Sequence, residues 1–136
     1  MSIDTPSPPD WARPLIGQQL PSTEAATTQC DGFVDKIATV YKGARPGVGL
    51  VGWGWDVQAH KPLQRFLVVD PSDTVIGAGH ASGQLRPDVE TARAGVVTTP
   101  QVGWQATAQI TSGQVKVYGL TDSGAPCLVG TLAVRT

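Results

Sequence analysis

Between Gln101 and Thr111 the chain alternates without interruption: Val102, Trp104, Ala106, Ala108 and Ile110 are interleaved with Gly103, Gln105, Thr107, Gln109 and Thr111. Successive side chains of an extended strand point to opposite faces, so a period of two commits this stretch to a β-strand with one apolar face on a core. On a helix the same apolar residues would scatter around the axis. A single strand leaves its backbone groups unpaired and is not stable alone, so the rest of the chain must supply partners.

Those partners are short runs of Val, Ile, Phe, Trp and Tyr punctuated by turn-forming residues; the 136-residue chain holds 16 glycines and 11 prolines, well above ordinary usage. From Cys30 onward, Phe33, Val34, Ile37, Val40 and Tyr41 mark a first strand, ended by the turn-prone 42–47. Val48 to Val57 is a second, Leu63 to Asp70 a third and Val75 to His80 a fourth. Asp70-Pro71-Ser72-Asp73 joins the last two as antiparallel neighbours, because proline presets φ and the acids can accept from nearby backbone amides. After the alternating strand come Val115 to Leu120 and Cys127 to Val134. Between Arg86 and Gly95 the texture differs: Asp88 can cap, Ala92 to Ala94 favour helix and Gly95 stops it, predicting one short helical turn in a long connection.

Seven short strands and one helical turn predict an all-β, antiparallel two-sheet sandwich over residues 29–136, with a small β-barrel as the alternative. Residues 1–28 hold five prolines and no apolar periodicity, and are expected to be a disordered or linker-like tail, with Trp11 and the Leu15-Ile16 pair available to dock. The length allows one domain. With charged residues at 15% and a net charge of −1, no cationic surplus exists to neutralise a phosphate backbone, which argues against nucleic acid as a partner. No apolar run reaches the roughly 18 residues a bilayer-spanning helix needs, and no basic start followed by an apolar stretch opens the sequence, so neither a membrane span nor a signal peptide is expected.

Enzyme motifs are absent: there is no Gly-x-Ser-x-Gly, His-Glu-x-x-His, phosphate-cradling loop or dinucleotide fingerprint. The two histidines are His60 and His80; His80 and Ser82, two residues apart, do not define a base and nucleophile. Asp31, Asp35, Asp56, Asp70 and Asp73 sit where turn capping explains them, although a small hydrolase built on two acids remains an alternative. No cofactor is expected; loop acids leave calcium as the one metal to consider. Arg86-Pro87-Asp88 is a stiffened pair of opposite charges, with Arg86 able to fork onto Asp56 or Asp35, or onto a ligand.

The stretch Val51-Gly52-Trp53-Gly54-Trp55-Asp56 puts Trp53 and Trp55 on one face and Gly52, Gly54 and Asp56 on the other. The flanking Val51 and Val57 predict that the indoles face the core, with a sugar-stacking platform as the alternative. The glycine face then offers a bare strip of backbone against which another segment or a flat ligand lies. Candidate ligand-binding residues are therefore Asp56, Arg86, Asp88, Gly52, Gly54 and Trp55. Cys30 and Cys127 lack the companions of a zinc site and are either two buried thiols or a disulfide tying the first strand to the last.

The order Cys30-Asp31-Gly32-Phe33-Val34-Asp35, Gly52-Trp53-Gly54-Trp55-Asp56, Arg86-Pro87-Asp88-Val89, Gly103-Trp104, Val117-Tyr118 and Cys127-Leu128 resembles a soluble β-sandwich domain attached to bacterial multi-span membrane proteins of the glycosyltransferase or polysaccharide-modification type. The resemblance covers residues 30 to about 130. It implies a periplasmic domain, a Cys30–Cys127 disulfide, residues 1–28 as a linker from a membrane anchor, and no catalytic residues in the sandwich; a cytoplasmic location is the alternative. The expected function is a non-catalytic accessory or binding module of cell-envelope glycan metabolism, its partner a glycan or a membrane-bound glycan-processing enzyme. The alternative is a structural or protein-interaction domain.

Overall fold

A computed structural model describes residues 4–20, 30–122 and 124–135. The strands are β1 (Cys30–Tyr41), β2 (Gly47–Asp56), β3 (Lys61–Pro62), β4 (Arg65–Val69), β5 (Val75–Ala81), β6 (Gly103–Ala108), β7 (Ser112–Leu120) and β8 (Pro126–Arg135), with one short helix, α1 (Pro87–Ala92), between β5 and β6. The expected strands and helical turn are all present; the two-residue β3 is additional. The fold is all-β and antiparallel, and of the two expected architectures it takes the barrel-like one. All the strands belong to a single sheet in the order β1-β2-β6-β5-β4-β7-β8, with β3 on β2. β3 pairs Trp55 and Asp56, just beyond the point where the β6 ladder ends at Trp53.

The sheet curls until β1 and β8 meet, giving a nearly closed barrel. Glycines permit that approach. A methyl group on Gly32 would stand 2.8 Å from Val129 Cγ1, and one on Gly130 would stand 3.2 Å from the Val34 backbone nitrogen. Cys30 and Cys127 lie at disulfide distance across the same seam, their Cα atoms 6.1 Å apart and 97 residues apart in sequence.

The interior is filled by alternate residues of each strand. Val48 and Leu50 of β2, Phe66 and Val68 of β4, Trp104, Ala106 and Ala108 of β6, Val115 and Val117 of β7 and Val129 of β8 form one buried cluster. Phe66 and Trp104 stack with ring centroids 5.1 Å apart. The cross-strand partners of these large rings are glycines, Gly52 opposite Trp104 and Gly79 and Gly119 opposite Phe66. Large against small is how a narrow barrel fills without voids.

Two segments cover parts of the outer face. The connection holding α1 places Val89, Val97 and Val102 over Trp53 and Trp55. Residues 4–20 lie over Leu67, Val69, Val75 and Ala78, with Ala12 fully buried and Trp11, Leu15, Ile16 and Leu20 packed around it. Of the stretch read as a tail, the part from 4 to 20 thus forms a strap on the barrel, including a single 3-10 turn (Arg13–Leu15) and a bridge from Gln19 to Thr74. It docks because β4 and β5 present outward apolar residues that would otherwise meet water. The rest of that stretch, 1–3 and 21–28, lies outside the described residues.

Candidate functional site

The tryptophan strand separates into two faces as alternation requires, with inside and outside exchanged relative to expectation. Trp53 (6% exposed) and Trp55 (1%) are buried, but on the outer side of the barrel, beneath the α1 connection. Gly52 and Gly54 face the interior. Added methyl groups would stand 2.6 Å from Trp104 Cζ2 and 3.0 Å from Phe66 Cε2. The bare strip of backbone is real, and the protein's own aromatics fill it. Burying both faces of β2 explains why its sequence reads apolar throughout.

The remaining sequence-predicted residues are fixed by local partners. Asp56 is buried and its Oδ1 accepts from the backbone amides of Gln58 and Ala59, both at 3.0 Å, capping the turn after β2. Arg86 pairs with Asp35 and not with Asp56, and also forks onto Asp88 through Nε (3.1 Å) and Nη2 (2.9 Å). Donating to Asp88, together with the hydrogen bond to Asp35 and the charges of both acids, raises the Arg86 guanidinium above its ordinary value; the Arg86 contact holds the Asp88 carboxyl below the ordinary carboxylate range. Arg93 bonds Asp31 at 2.8 Å and lies over the Trp53 ring, 5.6 Å from its centroid. Together Arg86 and Arg93 latch the connection onto β1. Asp56, Gly52, Gly54 and Trp55 thus cap or pack, and Arg86 with Asp88 fastens a loop over the indoles.

The other acids are engaged as well. Asp70 Oδ1 accepts from Ser72 N (2.8 Å) and Thr74 N (3.0 Å), and Asp73 pairs with Lys116 at 2.7 Å, which raises the lysine above its usual value. Asp73 has φ +63°, a left-handed conformation that suits the tight β4–β5 turn. His80 Nδ1 donates to its neighbour's carbonyl, Ala81 O, at 2.9 Å, while Ser82 Oγ accepts from Gln84 N.

Between the two covering segments, part of the outer sheet face stays open as a groove of about 300 Å³. Its floor is Gly49 and Ala78, its sides carry Thr39, Tyr41, His80, Gln105 and Thr107, and Pro6, Ser7 and Pro9 of the strap form one wall. Tyr41 lies over Gly49: a methyl group there would sit 3.5 Å from the phenol oxygen. None of the lining residues is Asp, Glu, Lys or Arg. With Nδ1 committed to a carbonyl, His80 keeps Nε2 for a ligand. The groove therefore offers hydroxyl, amide and imidazole groups beside one aromatic face. Such a surface can hydrogen-bond a neutral, hydroxyl-rich molecule and carries no acid pair for hydrolysis.

These groove residues were not singled out from the sequence. A signal existed in the alternating strand, whose outward phase, Gln105, Thr107, Gln109 and Thr111, is wholly uncharged. A strand face that meets only solvent usually carries some charge. Tyr41 and His80 reach the groove only because β1 and β5 flank β2 and β6, an arrangement that strand patterning leaves open. Comparison with known protein families, with curated proteins and with solved structures returns no match.

Proposed function

We propose that the chain is a non-catalytic binding module for carbohydrate, and that its site is the groove over β2, β6 and β5. The observation that carries this reading is the lining: about 300 Å³ walled by Thr39, Tyr41, His80, Gln105 and Thr107 without a charged side chain. Sugars match it in kind, since their hydroxyls both donate and accept and their C–H faces pack on an aromatic ring. The resemblance of its motif order to the soluble domain of envelope glycan proteins is what suggests a cell-envelope glycan as the target. A disulfide between Cys30 and Cys127 supports an extracytoplasmic setting, where such bonds persist.

Titration calorimetry against glycans that bind on an oligosaccharide array tests the site. Tyr41→Ala and Gln105→Ala are each expected to weaken binding about fivefold, the scale of one lost stacking contact or hydrogen bond of about 1 kcal/mol. If no glycan binds, or if both variants bind as the parent does, the reading falls.

A protein-interaction role is the second reading, and one feature favours it. Phe33 (57% exposed) and Leu128 (49%) stand on β1 and β8 at the barrel seam. Sedimentation of the protein across a concentration series checks whether that pair self-associates.

A further inference from the structure

The strap does not close the groove. On the far side of Pro6 lies a second hollow of about 310 Å³, lined by Thr5, Pro8, Ile16, Arg45, Ile76 and Gln109 among others. The two hollows share Pro6 and Thr107 as lining residues, so a single outer face of the sheet carries both, one on each side of the strap. The strap is fastened there by its own backbone. Thr5 donates its amide and its hydroxyl to Arg45 O, each at 2.8 Å, and Asp4 Oδ1 accepts from Arg45 N at 2.9 Å.

The electrostatic character changes along this path. The turn between β1 and β2 carries Lys42 and Arg45, both exposed, and Arg45 lines the second hollow. Neither side chain has a carboxylate within ion-pair distance among the described residues, which is equally true of Lys36, Arg65 and Arg135, while Arg13, Lys61, Arg86, Arg93 and Lys116 are paired. The nearby acid, Asp4, spends its Oδ1 on the backbone of Arg45. Two cations against one acid leave this turn positive, beside a groove without formal charge.

We propose that the ligand is an acidic oligosaccharide that spans both hollows, its neutral sugar unit seated beside Tyr41 and an anionic substituent, carboxylate or phosphate, drawn to Lys42 and Arg45. This rests on the carbohydrate reading above and adds to it the ligand's length and charge. A chain of at least two sugar units is needed to reach both sides of Pro6. The cations supply selectivity by charge while the neutral hollow supplies hydrogen bonds.

The test uses the full chain and three sets of linear oligosaccharides of equal length at low ionic strength: uncharged, hexuronate-containing and phosphate-bearing. At least one acidic set is expected to bind about three- to tenfold more tightly than the uncharged one, the range two exposed charge pairs provide, and the preference should shrink as salt is added. The paired substitution Lys42→Gln with Arg45→Gln should abolish the preference, bringing the acidic sets to the affinity of the uncharged one. Equal binding of neutral and acidic chains, or a preference that survives the double substitution, overturns the inference while the carbohydrate reading stands. Failure of every set to bind overturns both. Which acidic set is preferred distinguishes carboxylate from phosphate.

Discussion

Gly52 is where a single methyl group reports which way β2 faces. In Gly52→Ala the added carbon would stand 2.6 Å from Trp104 Cζ2 and 2.8 Å from Cε2, and closer still to Phe33 O. The indole is wedged against Phe66, and the oxygen belongs to the β1–β2 ladder, whose register sets Val34 opposite Gly52. Neither neighbour can retreat freely, so the cost falls in the overpacking range of about 1–3 kcal/mol. Replacing glycine also restricts the unfolded chain, which returns about 0.4–1 kcal/mol. The net loss is then about 1–2 kcal/mol. With a urea m-value of about 1–2 kcal/mol/M for a domain of this size, the midpoint should drop by about 1 M. Urea titration followed by tryptophan fluorescence, with the cysteine pair left oxidised, reads this directly. Gly49→Ala is the matched control, because its nearest atoms, Thr39 Cβ and the Tyr41 hydroxyl oxygen, are 3.5 Å away, an ordinary contact. Its midpoint should stay level or rise slightly. A Gly52→Ala midpoint equal to that of the parent, or equal losses at both positions, would refute the inward orientation of the glycine face.

Three further outcomes are expected. Replacing Cys30 and Cys127 together by alanine should lower stability by up to about 4–5 kcal/mol, from the entropy of a closed loop of this length, measurable by urea titration of the oxidised parent and the variant. Because Arg86 holds the Asp88 carboxyl below its ordinary 3.8, the latch is fully formed above that pH and weakens as pH falls through the lower folded value. Acrylamide quenching of Trp53 and Trp55 should accordingly rise below about pH 3.8 in the parent, and Asp88→Asn should flatten that dependence; identical acid profiles would remove Asp88 from the latch. Trp11→Ala removes a ring that packs on the outer face and lies beneath the Arg65 guanidinium, 5.3 Å from its centroid. It should cost about 1–3 kcal/mol and expose residues 4–20 to limited proteolysis, whereas unchanged resistance would show that the strap does not depend on it.

The strands were legible in the sequence because each is a local property. The alternation of Trp104 to Ala108, the Asp70-Pro71-Ser72-Asp73 turn and the helical signals from Asp88 to Gly95 all act over a few residues, and they reappear as β6, the β4–β5 turn and α1, while Val102, expected on the face of Trp104, packs instead against Trp53 and Trp55. Pairing of the expected hairpin also follows from proximity in the chain. By contrast, the partner of a carboxylate is set by strands far apart in sequence. Arg86 had Asp35 and Asp56 within its choices, and only the placement of β1 beside β2, with the connection folded over both, selects Asp35.

What the sequence determined by itself is therefore the class: antiparallel strands, their approximate limits, and the division of β2 into an indole face and a glycine face. Tertiary structure alone decided which face is inside. Periodicity has no sign, and a strand buried on both sides looks the same from either. The sign was set by Trp104 and Phe66, whose rings need the space that Gly52 and Gly54 leave, and by the α1 connection and the strap, which cover outward apolar residues elsewhere. The groove beside Tyr41 follows from the same cause, since it is the part of the outer face that neither segment covers.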